Sequence, residues 1–169
     1  MFPFNYSVIQ SLISHIGKAV SWLNLVLIAL VVMDLLLRNL FGITANWVGE
    51  AQWHLFSLMF LLGAAYTLQK DRHVRVDLFY ERFSPNDRRL TNLIGTLVLL
   101  LPWAMLLLVT GSRYAWQAWV EGEGSPNPGG IPYYWVIKAA IPAGAALLMV
   151  QGVLTLVELL REKEEVTAD

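Results

Sequence analysis

Four apolar stretches, each long enough to cross a lipid bilayer, set the strongest limit on how this chain folds. A transmembrane helix needs about 20 mostly apolar residues, because the hydrocarbon core is ~30 Å thick and an α-helix rises ~1.5 Å per residue. The predicted spans cover residues 19–41, 47–68, 90–116 and 134–160. Apolar residues make up 56% of the chain and charged residues only 15%, which is unlike a soluble domain. We predict an all-α integral membrane protein with four transmembrane helices, forming one membrane domain over residues 1–169.

The distribution of basic residues predicts the orientation of these helices. The connection over residues 70–89 carries six basic residues, whereas the connections 42–46 and 120–132 contain no Lys or Arg. Loops rich in Lys and Arg stay in the cytoplasm. We therefore expect both termini and the 70–89 loop to be cytoplasmic, and the 120–132 loop to be periplasmic.

Apolar stripes outside the spans predict short amphipathic helices in the membrane interface. One stripe precedes the first span and the other lies in the cytoplasmic loop; their members are Val8, Ile9, Leu12, Ile13 and Ile16, and Val76, Phe79, Tyr80 and Phe83. The sequence from Ser84 to Asp87 supplies an N-cap, a proline and a carboxylate, so a helix should begin there. The Gly/Pro-rich segment 120–132 is either an ordered turn or a flexible loop.

Charged residues near the span ends are the candidate functional positions. Asp34 and Arg38 lie four residues apart, so they either pair within the helix or face a protein partner. For Arg38 we favour Glu50, across the short first connection. Arg113 and Lys138 lie near the outer ends of the third and fourth spans, where each should find a local partner, although snorkelling to the headgroups is the commoner fate for Lys138.

The middle of the predicted spans carries few polar groups. The second span has only Ser57 near mid-depth, and the fourth has no polar residue between its first turns and Gln151. Transporters that bind their own substrate place polar groups or broken helices at the midplane. The sequence therefore predicts that this chain does not form a transport pathway. Small residues on the fourth span, at Ala139, Ala143 and Ala146, could pack internally or against a partner.

Several other functions are excluded by the sequence. The net charge of −1 gives no basic patch for nucleic acid, and the absence of cysteine excludes thiolate sites. A haem between helices needs two facing histidines, but His15, His54 and His73 are predicted at three different depths. No nucleotide-binding loop, nucleophile elbow or paired-carboxylate site is present. We expect no cofactor, no metal and no enzyme activity.

Four stretches in order along the chain resemble a known family. They are RNLFG, WVGEAQWHLFSLMFLLGAA, KDRHVRVDLFYERF and SPNPGGIPYYWVIKAAIPAGAALLMVQGV. Together they are similar to the small, DctQ-type membrane subunit of the TRAP transporters, the tripartite ATP-independent periplasmic transporters of bacteria and archaea. The resemblance covers nearly the whole chain.

That resemblance implies a multi-pass protein of the inner membrane and a set of partners. In the family, a periplasmic protein captures a small organic anion, and a large membrane subunit of about twelve spans imports it with sodium. The small subunit extends the static scaffold of the large one and helps to receive the periplasmic protein. The resemblance assigns structural or subunit-contact roles to six polar positions, and none of these is catalytic: Arg38, Asn39, Glu50, His73, Asp77 and Lys138.

Two other classes of protein also fit four apolar helices. One is the membrane anchor of a respiratory or redox complex, which the scattered histidines disfavour. The other is a small channel or exporter that assembles from copies of this chain, which flux activity of the chain alone would reveal.

Overall fold

The computed structural model describes residues 6–70 and 83–168, with side chains as far as Arg161, and this part of the chain is helical with no strand. The helices are α1 (Tyr6–Phe41), α2 (Asn46–Gln69), α3 (Pro85–Ile94), α4 (Leu101–Val120) and α5 (Tyr134–Ala168). A π-helical segment, Gly95–Leu100, joins α3 to α4 without a break. The prediction of an all-helical chain is confirmed for the described residues.

Three helical stretches in the described part of the chain are long and apolar enough to cross a membrane. They are Tyr6–Phe41, Pro85–Val120 and Tyr134–Arg161. Helix α2 is 24 residues long, about 36 Å at ~1.5 Å per residue, but Glu50, Gln52 and His54 in its first turns lower its mean hydropathy. The structure therefore identifies three of the four predicted spans by length and composition.

Helix α1 differs from the sequence prediction. A short interfacial helix was expected before the first span, but one continuous helix of 36 residues runs from Tyr6 to Phe41. Ile13 and Gly17 are buried on the same face as Val20, so Ile13 of the predicted stripe extends the packing face of the span, while Val8 and Leu12 are exposed. The second predicted stripe lies mostly within residues 71–82, outside the described residues.

The predicted helix start at Ser84 is confirmed. The Ser84 hydroxyl accepts a hydrogen bond from the Asp87 backbone N–H at 3.3 Å and donates one to the Asp87 carboxylate at 2.6 Å. Pro85 occupies the first helical position, where its missing N–H costs nothing. Further on, Pro102 would clash with the carbonyl four residues earlier in a regular α-helix. That carbonyl belongs to Val98, in the wider π-helical turn.

The long helices pack side by side in the order α1, α2, α5 and α4. The main contacts are α4 with α5, α1 with α2, and α2 with α5. Within the described residues α2 and α4 make no substantial contact with each other, so α5 forms the floor of a groove between them. Because neighbours in the chain run antiparallel, Phe41, Asn46, Val120 and Tyr134 mark one end of the helices. We call this the Glu50 end, and the other the opposite end.

Small residues allow the closest contact, between α2 and α5. A Cβ atom on Gly144 would lie 2.5 Å from the Leu61 carbonyl oxygen, so the two backbones meet directly there. Ala140 and Ala145 are also buried. Of the strip proposed from the sequence, Ala143 is exposed while its neighbour Gly144 is not. The small residues of α5 therefore serve internal packing on one side and leave Ala143 on the surface.

We predict that Gly144→Ala destabilises the protein while Gly63→Ala does not. The new methyl group at position 144 meets a backbone oxygen that cannot move cheaply, at a cost of about 1–3 kcal/mol. A Cβ atom on Gly63 meets nothing within 4 Å, and removing a helical glycine should stabilise by about 0.5–1 kcal/mol. Unfolding in detergent, followed by tryptophan fluorescence, gives both values; equal stabilities would contradict the packing described.

Candidate subunit-contact site at the Glu50 end

A buried carboxylate lies at the start of α2. Helix α2 begins at Asn46 without a side-chain cap from Ala45, and Glu50 follows in its second turn. The residue is only 5% exposed. A charge removed from water in this way is costly unless other groups donate hydrogen bonds to it, so the surroundings of Glu50 determine how this end of the protein folds.

Three donors from residues 121–133, the connection between α4 and α5, hydrogen-bond to the Glu50 carboxylate, and the Tyr134 side chain at the start of α5 does so too. The Ser125 hydroxyl and the Asn127 amide, the latter at 3.0 Å, both donate to Oε1. The Ile131 backbone N–H donates to Oε2 at 2.7 Å. Glu50 has no ion pair among the described residues, so neutral dipoles rather than a cation hold this charge.

Glycines let the connection pass close to the carboxylate. A Cβ atom on Gly130 would lie 2.7 Å from Glu50 Oε1 and would also clash with Ser125. Gly129 adopts φ of 70°, a left-handed conformation that favours glycine. The Gly-Gly pair therefore permits the tight turn that brings the Ile131 N–H to the carboxylate.

Backbone and side-chain hydrogen bonds fix the rest of the connection. The Ser125 N–H donates to the Ile131 carbonyl at 2.9 Å, and the Tyr134 N–H donates to the Glu123 carbonyl at 3.0 Å. The Asn46 amide donates to the Pro128 carbonyl at 2.9 Å. Of the two alternatives left open by the sequence, the structure shows the ordered turn, seated on the first turns of α2.

A second buried charge, on Lys138 of α5, joins the same connection to α4. Lys138 is 8% exposed; its ammonium group donates to the Glu123 carboxylate and lies 3.8 Å from the centre of the Tyr114 ring. The expectation that Lys138 snorkels is wrong, because a carboxylate and an aromatic face are within its reach inside the protein. Trp119 and Trp135 pack edge to face beside it, with ring centroids 4.6 Å apart.

The favoured pair of Arg38 with Glu50 does not form. Arg38 instead donates to Asp34 at 2.8 Å, within α1, and the Arg38 side chain is 57% exposed. The i, i+4 spacing brings these two side chains together on one helix face, while the 121–133 connection already saturates Glu50. The alternative of an intrahelical pair is confirmed, although Asp34 and Arg38 remain on a surface that a partner could cover.

The other predicted positions are not part of this network. Asn39 and Arg113 are exposed on α1 and α4, and neither has an ion pair within the described residues. His73 and Asp77 lie outside the described residues. His54 donates through Nδ1–H to the Glu50 backbone carbonyl, 2.6 Å away, and packs between Trp53 and Tyr134.

Sequence reasoning missed the partners of both buried charges. Ser125, Asn127 and Ile131 are more than 70 positions from Glu50, and no periodicity links them. The available signal was the density of turn residues in EGEGSPNPGG, which indicated a special backbone path but not its destination.

The arrangement holds α2, α4, α5 and the connection in fixed positions at one end. The carboxylates of Glu50 and Glu123 are both occupied by donors from the chain itself. The fold and this site define a helical membrane protein in which the buried charges are structural.

Comparison with known proteins identifies the family. Residues 27–162 match the family model of the tripartite ATP-independent periplasmic transporters, DctQ component. The chain therefore belongs to the DctQ family, the small permease component of TRAP transporters. It is also 27% identical to the C4-dicarboxylate TRAP transporter small permease protein DctQ of Vibrio cholerae serotype O1, over 172 aligned residues that cover 85% of this chain and 73% of that protein.

We predict that Glu50→Gln loosens the 121–133 connection. In glutamine, an NH₂ group replaces one of the two carboxylate oxygens. The groups around this position donate hydrogen bonds, so at least one of them loses its acceptor. Hydrogen exchange of the backbone amides in residues 121–133 should become roughly tenfold faster. Glu121→Gln is the matched control, because Glu121 is exposed and bonds only Gln117. Unchanged hydrogen exchange in the Glu50→Gln variant would contradict the role of the Glu50 carboxylate in holding the 121–133 connection.

We further predict that Lys138→Gln costs more stability than Arg38→Gln. Lys138 is buried while Glu123 is 36% exposed, so the loss should fall between the values for exposed and buried pairs, about 2 kcal/mol. The exposed Arg38 pair should contribute about 0–1 kcal/mol. Detergent unfolding of the two variants compares them, and a reversed order would refute the structural role of Lys138.

Proposed function

We propose that this chain is the accessory scaffold subunit of a sodium-coupled TRAP transporter that imports a small organic anion delivered by a periplasmic binding protein. Membership of the DctQ family carries the proposal. The relative from Vibrio cholerae is named for C4-dicarboxylates, which fits the organic-anion class for this chain. The large membrane subunit and the periplasmic protein are the proposed partners, in the bacterial or archaeal inner membrane.

The distribution of polar groups supports a helper role rather than transport by this chain alone. The buried charges at the Glu50 end are satisfied internally, and the groove between α2 and α4 is bordered at its inner end by Phe60, Leu107 and Ile141. No polar path connects the two ends through the described residues. A substrate pathway would need such a path at mid-depth.

We propose four membrane spans, with α2 as the fourth. Helix α2 packs between α1 and α5, both apolar enough to span, and its length of 24 residues matches the hydrocarbon core. Its polar first turns lie at the Glu50 end, where the connection covers them. With Lys70, Arg88 and Arg89 at the opposite end, both termini are cytoplasmic and the Glu50 end is periplasmic.

The surface offered to a large partner is the outward side of α1. The rest of the chain buries none of the central apolar stretch of α1, and Trp22, Leu25 and Leu40 are well exposed. Apolar surface alone gives no drive to associate within lipid. The Asp34–Arg38 pair on the same helix supplies polar groups that a partner could engage.

The orientation can be tested in a chain that has no native cysteine. Single cysteines replacing the exposed residues Ser7, Asn86 and Glu121 report the two ends. In intact cells, a membrane-impermeant maleimide should label Glu121→Cys and should label the other two only after lysis. Labelling of Ser7→Cys in intact cells would overturn the proposed orientation.

The helper role predicts that uptake needs all three components. Proteoliposomes containing this chain alone should show no sodium-dependent uptake of succinate or other organic anions. Adding the large membrane subunit and the periplasmic protein of the same transporter should give uptake. Sodium-driven uptake by this chain without a large subunit would refute the proposal.

A further inference from the structure

A large groove lies between α2 and α4. It has a volume of about 1490 Å³, larger than the ~300–1,000 Å³ of pockets for drug-sized ligands. Its lining on α5 runs from Ile141 to Leu159, about 27 Å at ~1.5 Å per residue. One leaflet with its headgroups is about 20–23 Å thick, so the groove is long enough for a whole lipid molecule.

The groove changes in polarity along its length. Its deep part is lined by apolar side chains from α2, α4 and α5, among them Leu61, Trp103 and Leu148. Its mouth, at the opposite end from Glu50, is lined by amide, hydroxyl and charged groups of Gln10, Gln69, Lys70, Thr91, Asn92 and Glu158. This is the polarity profile of an amphiphile, with tails inside and a headgroup at the mouth.

The groove is closed toward the Glu50 end. Its lining on α5 stops at Ile141, seven positions or about 10 Å after the start of the helix at Tyr134. Among the described residues, the polar part of the lining lies at one end of the groove only, which is the arrangement that suits a lipid from one leaflet.

Charge at the mouth indicates the kind of headgroup. Lys70 lines the mouth and is exposed, with its ammonium group 5.7 Å from the centre of the Tyr66 ring. Arg89 donates to the carbonyl of Leu159, another lining residue, at 2.9 Å. Glu158 lines the mouth as well, so the mouth carries both charges, and the ammonium group of Lys70 is the lining cation that a phosphate-bearing headgroup would engage.

We propose that this groove binds a phospholipid, with its acyl chains between α2 and α4 and its phosphate beside Lys70. Gln151 lies buried on the floor of the groove, and its side-chain amide oxygen has no hydrogen-bond partner among the described residues. This polar group lies below the proposed headgroup region. Only the assignment of the lipid to the cytoplasmic leaflet depends on the orientation proposed above. A bound lipid would fill the gap and join α2 to α4.

The test uses a photoactivatable phosphatidylglycerol with a diazirine in its acyl chain. This chain, co-purified with its large subunit in nanodiscs containing that lipid, is irradiated, and the labelled peptides are identified by mass spectrometry. We expect labels on the lining of α2, α4 and α5. Labels confined to the outer faces of the helices, or no label because a large-subunit helix lies in the groove, would overturn the proposal.

Two matched pairs of variants sharpen the result. Ala64 lines the groove while Ala143 is exposed outside it, so Ala64→Phe should lower labelling of the lining roughly tenfold and Ala143→Phe should not. Lys70→Gln should weaken labelling several-fold relative to Lys18→Gln, an exposed lysine away from the lining. Lys70→Gln changes only an exposed side chain, so it remains informative if Ala64→Phe fails to fold.

A diacylglycerol with the same diazirine chain tests the headgroup. It should label the lining several-fold less than phosphatidylglycerol, because it has no phosphate for Lys70. Equal labelling by both probes, or equal labelling of all four variants, would overturn the proposal. Since the readout is on this chain and not on uptake, it separates a failure of this inference from a failure of the proposed transport role.

Discussion

The cost of burying one carboxylate determines the structure of the Glu50 end. Glu50 lies in the second turn of α2, 5% exposed, and cannot remain charged there without donors. Three of its donors come from residues 121–133, including the Ile131 backbone N–H, and the Tyr134 side chain adds another hydrogen bond. The connection therefore has to fold over α2, and once it does, Glu123 is carried to Lys138 and α4 is tied in through Tyr114.

The two ends of the helices differ as a result. The helices form a row in which α5 contacts both α2 and α4, while α2 and α4 make no substantial contact with each other among the described residues. The connection over residues 121–133 joins α2 to α5 at the Glu50 end, and the groove between α2 and α4 has its polar lining at the opposite end.

Much of the fold could be predicted from the sequence because helices in lipid depend on local patterns. Apolar length indicated the long helices, and the Ser84 cap with Pro85 and Asp87 gave the start of α3. The separate interfacial helix was predicted wrongly, since a stripe of apolar residues is the same whether it faces lipid headgroups or Tyr66 and the rest of α2. Only tertiary packing distinguishes the two.

The candidate site was much less predictable. Buried charge was expected at Glu50 and Lys138, but their partners were not, because a carboxylate satisfied by neutral donors leaves no charge pattern. Because opposite charges attract, Arg38 was predicted to pair with Glu50. In the structure the i, i+4 neighbour Asp34 is nearer to Arg38, and uncharged donors, two side chains and the Ile131 backbone N–H, bind the Glu50 carboxylate.

The central claim is that Glu50 fixes the 121–133 connection on α2, and a distance measurement tests it most directly. Nitroxide labels on cysteines at Gly49 and Pro126, both exposed and adjacent to Glu50 and Ser125, should show strong dipolar broadening in a continuous-wave EPR spectrum. The account predicts that Glu50→Gln in the doubly labelled chain removes most of this broadening. Broadening of the same size with and without the carboxylate would contradict it.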